Sequence, residues 1–225
     1  MISTSTGAFK GSTATPTAMP TANLSATRLE VTQGTQDLSN SVRLVANKRT
    51  YVRFHVRSNG GSYFTAAWLI ATHGDQQTLL FPVNGNSGFL WVRQSPDRGT
   101  LGHSFLFELP SGFREGTVTL NAYVNPAFPP YWGHDPLEIT YSDNKATAIV
   151  MFEAVPTPSL VMYRIGYTYG GSEYWPSSSD RSQAVDYIGR AYPLGNLHVW
   201  NRSLNFGAAS RVSDGYGGYT LTSPS

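Results

Sequence analysis

Cysteine is absent from this chain of 225 residues, and charged residues are scarce, at 13% of the sequence. Without cysteine the chain can form no disulfide and no cysteine-based zinc site. The formal net charge of +2 and the lack of a Lys/Arg cluster argue against nucleic acid or an anionic membrane as a partner. No run of about 18 apolar residues occurs, so the sequence predicts no transmembrane segment.

Turn-forming residues are plentiful, with 22 glycines and 14 prolines, and 40% of the residues are hydrophobic. This composition is typical of a turn-rich β protein of the secreted or cell-surface type, with enough apolar residues for a core. Residues 1–26 are rich in Ser, Thr, Ala and Pro and predict a disordered linker. They lack the basic and then apolar order of a signal peptide. We therefore expect either a gene fragment whose export signal is missing or a natural disordered N-terminus.

Alternating apolar residues predict β-strands over residues 27–155. Val52, Phe54 and Val56 alternate with polar side chains, and residues 117–124 repeat this pattern. Residues 47–49 form a short polar break that predicts a hairpin between the apolar run before it and the strand after it. Many short strands with frequent turn signals and no helical periodicity predict an antiparallel β-sandwich of the immunoglobulin-like type.

The pattern changes at Pro156 and Pro158, which mark a domain boundary. A strand over residues 160–167, a helix that follows residues 177–180, and a strand over residues 197–200 predict an α/β unit within residues 156–225. So small a unit cannot easily bury both faces of its sheet. We expect it to be the start of a larger, truncated α/β domain, because its closing residues show no strand or helix pattern.

Two stretches together resemble a known family: residues 30–56, and residues 109–126 with residues 141–147, which look like the strand pair that closes the same domain. Residues 30–56 carry a basic K-x-T-x-V-R-V strand pattern, which is matched here by Lys48, Thr50, Val52 and Arg53. This stretch resembles the immunoglobulin-like, cell-adhesion-related (CARDB-like) N-terminal region of secreted bacterial metallopeptidase-like proteins. Residues 160–200 are similar to the start of the zincin-like catalytic domain that follows it. The resemblance implies an accessory sandwich, a downstream catalytic domain of the same polypeptide, and zinc in the longer parent protein.

The sequence departs from the zincin pattern at the decisive point. A zincin helix carries two histidines four residues apart, with a glutamate between them that activates the zinc-bound water. The chain has five histidines, and no two are four apart: His55, His73, His103, His134 and His198. We therefore assign no zinc ligand, no catalytic residue and no cofactor to this chain.

The loop of residues 125–136 contains the residues that we predict to bind a ligand: Tyr131, Trp132, His134 and Asp135. An exposed Tyr-Trp pair can stack on a sugar ring or anchor a protein partner. The competing interpretation, which the composition of an ordinary sandwich loop favours, is that the rings fold back over the edge of the core.

Other polar residues are better explained by structure. Asp143 and Asn144 are ligand types that calcium accepts, but no D-x-D-x-D spacing surrounds them and Ser-Asp-Asn-Lys is an ordinary turn. Arg53, His55 and Arg57 on one strand face could receive an anion, but such charges are common on exposed sheet faces. Glycoside hydrolysis needs two carboxylates close together. No sequence pattern brings together two of the four scattered glutamates, which are Glu108, Glu115, Glu138 and Glu153.

The sequence leads to two hypotheses from different functional classes. The first is a non-catalytic accessory or adhesion part of a secreted bacterial metallopeptidase-like protein. The second is a self-contained β-sandwich module that recognises carbohydrate or a protein surface through the Tyr131-Trp132 loop. An active hydrolase ranks below both, because the spacings assemble no nucleophile, base and orienting group.

Overall fold

The alternating apolar residues form two β-sheets that pack face to face. The computed structural model describes residues 22–126, 136–213 and 219–222. The strands of the sandwich are β1 (Leu24–Thr32), β2 (Leu44–Val45), β3 (Tyr51–Ser58), β4 (Tyr63–His73), β5 (Gln76–Leu80), β6 (Phe89–Val92), β7 (Phe105–Glu108), β8 (Gly116–Val124) and β9 (Lys145–Glu153). Short 3-10 helices at Leu101–His103 and Ser111–Phe113 flank β7.

One sheet has the order β1-β3-β7, and the other has the order β2-β9-β8-β4-β5, with β6 paired to the first half of β4. All pairs are antiparallel except β2 with β9, which is parallel. The inner faces interdigitate in a core in which Phe54, Phe105 and Phe107 of one sheet are fully buried, as are Leu69 and Leu120 of the other. Each such side chain contributes about 1.5–3 kcal/mol through burial. The prediction of a mainly-β sandwich is confirmed.

A second unit follows the sandwich. Its elements are β10 (Ser159–Tyr169), β11 (Ser172–Tyr174), α1 (Ser178–Ala191), β12 (His198–Ala208), β13 (Ser210–Ser213) and β14 (Tyr219–Thr222). β10 and β12 are parallel neighbours joined through α1, and β11 pairs with β10 on its other edge. This is the predicted strand, helix and strand order. No helix in the described ranges is long and apolar enough to cross a membrane.

The predicted hairpin at residues 47–49 is wrong. β2 lies in the larger sheet beside β9, whereas β3 lies in the smaller sheet between β1 and β7. The break is therefore a crossing between the two sheets. Asn47 turns the chain with a positive φ of 64°, and its N–H donates to the carbonyl of Arg114 at 2.8 Å. Asparagine tolerates this left-handed conformation better than most residues, so a turn signal was present, but it did not specify which strands were joined.

Two segment boundaries also differ from the sequence-based expectation. Residues 22–26 were assigned to the linker, but β1 begins at Leu24, and Leu24 is fully buried in the core. At the other end, the closing residues were expected to lack strand structure. Instead β13 and β14 form an antiparallel pair, in which Val212 lies opposite Thr220. Serine and threonine dominate these segments and hid their extended conformation.

Candidate interaction surface

β10 presents different side chains on its two faces because successive residues of a strand alternate. Val161, Tyr163 and Ile165 share one face and are 50%, 63% and 46% exposed. Leu160 and Met162 belong to the opposite face and are half-buried. An apolar face is therefore left open on one side of this sheet.

The neighbouring strands extend this face. In the parallel register Val161 lies beside Trp200 and Ile165 lies beside Leu204, and the new pair is 54% and 49% exposed. On the other edge the Tyr174 ring stacks on that of Tyr167, with centroids 5.2 Å apart. We call this surface the open face, and it consists of Val161, Tyr163, Ile165, Tyr174, Trp200 and Leu204.

Helix α1 has a fixed N-terminus and an apolar stripe. Its N-terminus is fixed by a reciprocal capping box, in which Ser177 and Asp180 each accept a hydrogen bond from the other's backbone N–H. Ala184, Val185 and Ile188 form a half-buried stripe at helical spacing. The half-buried side of β10 is covered instead by Trp175, whose ring lies against Gly166 and 4.8 Å from the Arg164 guanidinium carbon.

The C-terminus of α1 is held by a lysine of the sandwich. Lys48 is buried, and its Nζ donates to the carbonyl oxygens of Gly189 at 3.1 Å and Arg190 at 3.2 Å, and also to that of Tyr192. These carbonyls are the negative end of the helix dipole, which favours a cation. Burial lowers the pKa of the Lys48 ammonium from its ordinary value. Lys48 thus fastens the α/β unit to the sandwich.

The same junction contains a cleft of about 470 Å³. Gly195 approaches the backbone of Ala46 so closely that a Cβ at position 195 would lie 2.1 Å from the Ala46 carbonyl oxygen. Only glycine fits such an approach. Sequence reasoning missed this junction, because Lys48 looks like an ordinary polar residue of a turn.

The size of the open face sets it apart from ordinary surface. An aromatic side chain has roughly 150–250 Å² of surface, so the half-exposed rings of Tyr163, Tyr174 and Trp200 present on the order of 300 Å² together. With the three aliphatic residues, the open face is comparable to the largest apolar patches of monomeric proteins, roughly 300–600 Å². Patches of this size commonly mark interaction sites. The expectation that this unit is the start of a larger α/β domain stays a prediction.

No protein-family model, curated protein or solved structure matches the chain. The immunoglobulin-like and zincin-like resemblances therefore remain hypotheses, and the open face is interpreted from its own chemistry.

The residues predicted to bind a ligand lie outside the described part of the chain: Tyr131, Trp132, His134 and Asp135. Their role stays a prediction. The base of their loop is described, and it is clamped by Asn125, whose Nδ2 lies 2.7 Å from the Pro136 carbonyl and 2.6 Å from Glu138 Oε1. These bonds hold the two ends of the loop together.

Two of the three candidate anion-binding residues of β3, Arg53 and His55, are engaged within the chain. The buried Glu30 carboxylate accepts hydrogen bonds from Arg98 at 2.8 Å and His55 at 2.9 Å, and Arg53 lies 3.7 Å away. Burial raises the pKa of the Glu30 carboxyl, but the hydrogen bonds from Arg98 and His55 and the charge of Arg53 outweigh it and hold that pKa below its usual value. Arg53 and His55 therefore stabilise the buried Glu30 carboxylate. Of the three residues that could have received an anion, Arg57 is the one that is exposed.

The remaining acidic candidates are dispersed. Glu108 accepts hydrogen bonds from Arg49 and Arg114, and Glu153 pairs with Arg43 at 3.3 Å. Ser104 accepts a hydrogen bond from Arg53 at 3.2 Å. Within the described ranges, no three histidine, aspartate or glutamate residues are grouped so that they could hold a metal ion. These contacts explain the acids as structural residues.

Proposed function

We propose that this chain is a non-catalytic accessory protein that docks through the open face onto an α/β protein layer. In this proposal the sandwich is the accessory or adhesion module. The docked layer belongs to the catalytic domain of a secreted bacterial metallopeptidase-like protein, as the sequence resemblance implies. The single observation that supports docking is the row of half-exposed apolar side chains on the parallel pair β10 and β12 and on the adjoining antiparallel strand β11.

The chemistry of the open face favours protein over carbohydrate. Sugar-binding surfaces combine aromatic rings with polar groups, whereas Val161, Ile165 and Leu204 offer only aliphatic surface here. β10 and β12 form a parallel pair, and parallel strands are usually covered by helices on both faces. A helix with an apolar stripe is therefore the element that fits the open face. Arg202 lies beside Tyr163 in the register, so an acidic residue on that helix would complement it.

The accessory role is supported by the way the described acids and histidines are used. Glu30, Glu108 and Glu153 are engaged by arginines, and His55 is hydrogen-bonded to Glu30. A general base or a zinc ligand needs free lone pairs that point into a cleft. In the proposal, any zinc chemistry belongs to the domain that covers the open face.

Photo-crosslinking from two matched positions tests this proposal. Tyr163 on the open face and Tyr187 on α1 are 63% and 64% exposed. Each is replaced by benzoylphenylalanine in the protein as its own cells make it, and crosslinked peptides are sequenced. We expect position 163 to capture a peptidase-like α/β domain that carries a His-Glu-x-x-His helix, and position 187 to capture it at least tenfold less.

Equal capture at the two positions, or capture of no such domain, would refute the docking proposal. The accessory role is checked separately with purified chain and casein. We expect no hydrolysis with or without added zinc, and measurable turnover would contradict a non-catalytic role.

A further inference from the structure

Three side-chain oxygens near the start of β1 and of β9 have no hydrogen-bond donor among the described residues. They are Asn23 Oδ1, Asp143 Oδ1 and Asn144 Oδ1, and all three are shielded from solvent. Leaving a buried acceptor unsatisfied costs about 1–3 kcal/mol. Native proteins contain few such groups, and an unplaced ion or water is a common reason for them.

The orientation of both amides is fixed by their neighbours. Asn23 Nδ2 donates to Asp143 Oδ2 at 3.0 Å, and Asn144 Nδ2 donates to Glu138 Oε1 at 2.8 Å. Turning either amide over would set its oxygen against a carboxylate oxygen. The unsatisfied atoms are therefore oxygens and not misplaced amide nitrogens.

The three residues are linked to one another by a hydrogen bond and by sequence. Asn23 bonds directly to Asp143, and Asn144 follows Asp143 in the chain. The backbone N–H of Leu24, which follows Asn23, donates to Glu138 Oε2 at 2.5 Å, while Asn144 holds the other oxygen of the same carboxylate. Asn144 is only 5% exposed and Glu138 only 4%.

The charge in this region is unbalanced. Glu138 and Asp143 form no ion pair in the described part of the chain, whereas Glu30, Glu108 and Glu153 each pair with arginine. Lys145 is next in sequence to Asn144, but its Nζ lies over the Tyr123 ring at 5.4 Å. Two carboxylates thus belong to one hydrogen-bonded network that contains no cation in the described part of the chain, which is costly in a poorly solvated site.

A small cation satisfies these oxygens better than water does. Calcium sits about 2.3–2.6 Å from carboxylate and amide oxygens, whereas a water molecule needs about 2.7–2.8 Å. The three oxygens present no surface that water can touch. The ligands are all oxygen, with no histidine, which excludes a preference for zinc or copper.

We propose that the side-chain oxygens of Asn23, Asp143 and Asn144 bind a calcium ion. The ion joins the start of β1 to the turn before β9. Through Glu138 and Asn125 it also stiffens the base of the loop of residues 127–135. This site carries no D-x-D-x-D motif, because its ligands come from segments about 120 residues apart.

Calorimetric titration of the chelator-treated full chain with CaCl₂ tests the site. We expect saturable binding with a Kd below about 1 mM, in the range of extracellular calcium sites. At a hundredfold excess over Kd, Tm should rise by about 5–10 °C, and equal Mg²⁺ should give less than half of that rise. Asp143→Asn should weaken binding at least tenfold, whereas Asp75→Asn, which removes a carboxylate from the exposed β4–β5 turn, should not change it.

A second variant, which is expected to increase the calcium effect, distinguishes loss of the site from loss of folding. Asn23→Asp adds a negative charge beside Asp143, so it should lower Tm without calcium and enlarge the calcium-induced rise. If wild-type chain shows neither binding heat nor a Tm change at about 5 mM CaCl₂, above the range of extracellular sites, the proposal is overturned. A rise that Asp143→Asn leaves intact overturns it as well.

Discussion

Replacing Lys48 by methionine tests how the α/β unit is fastened to the sandwich. Methionine keeps an unbranched side chain of similar length but removes the ammonium that donates to Gly189, Arg190 and Tyr192. Hydrogen bonds to a charged group contribute about 1.5–3 kcal/mol net, and a cation at a helix C-terminus contributes up to about 2 kcal/mol. The cost of burying the ammonium, which also lowers its pKa, offsets part of this gain.

We therefore expect the variant to lose about 2 kcal/mol in the local stability of α1, whose carbonyls can be hydrated after the loss. This corresponds to about 30-fold faster amide hydrogen exchange in α1, while β3 and β8 in the sandwich core exchange at unchanged rates. Lys145→Met removes a lysine whose Nζ lies over the ring of the sandwich residue Tyr123, so it serves as the control. If Lys48→Met does not accelerate amide exchange in α1, Lys48 does not fasten the α/β unit to the sandwich.

Two further predictions concern pH and the ligand loop. Burial is the main cause that lowers the pKa of His55 below 6.5 in the folded chain, so the unfolded state takes up a proton first as the pH falls through 6.5. Stability should then decline by up to about 1.4 kcal/mol per pH unit, and His55→Gln should flatten this slope in urea denaturation at several pH values. The Glu30 contribution is lost only at lower pH, since its pKa lies below 4.5; an unchanged slope in His55→Gln would show that His55 is not responsible. If the Tyr131-Trp132 loop binds carbohydrate or protein, Trp132→Ala should weaken binding on a glycan or protein array at least tenfold without changing Tm, and unchanged binding would remove this loop from consideration.

Much of the fold could be predicted because strand periodicity is a local property. β3 and β8 alternate without interruption, and their inward residues Val52, Phe54, Val118 and Leu120 are fully buried. The helix could also be predicted from the sequence, because Ser177 and Asp180 form the capping pattern at its start. Local pattern thus sufficed for the type of each element.

Pairing between strands could not be read in the same way. The turn at Asn47 has the residue types of a hairpin, yet the strands on its two sides pair elsewhere. β2 pairs with β9, 108 positions away, and β3 pairs with β1, 19 to 34 positions away. Which strands pair is determined by how their apolar side chains are buried in the assembled core. The strand predicted to end at Trp200 is longer in the structure, where β12 continues to Ala208. Leu204 and Phe206 continue its alternation.

The polar sites depended even more on distant contacts. Arg98 reaches Glu30 across 68 positions and Asn23 reaches Asp143 across 120. No spacing rule connects such residues, so the Ser-Asp-Asn-Lys turn could be recognised but not its neighbours. Lys48 was noted only as part of a strand pattern, and its helix partner lies more than 140 positions away.

Hydroxyl-radical footprinting tests most directly whether the open face is covered in the native protein. Oxidation of Tyr163, Trp200 and Tyr187 is compared between the purified 225-residue chain and the protein isolated intact from the cells that make it. In the purified chain all three should react readily, because each is more than half exposed. In the native protein, Tyr163 and Trp200 should react at least tenfold more slowly while Tyr187 keeps its rate. Equal rates in both preparations would contradict docking through the open face.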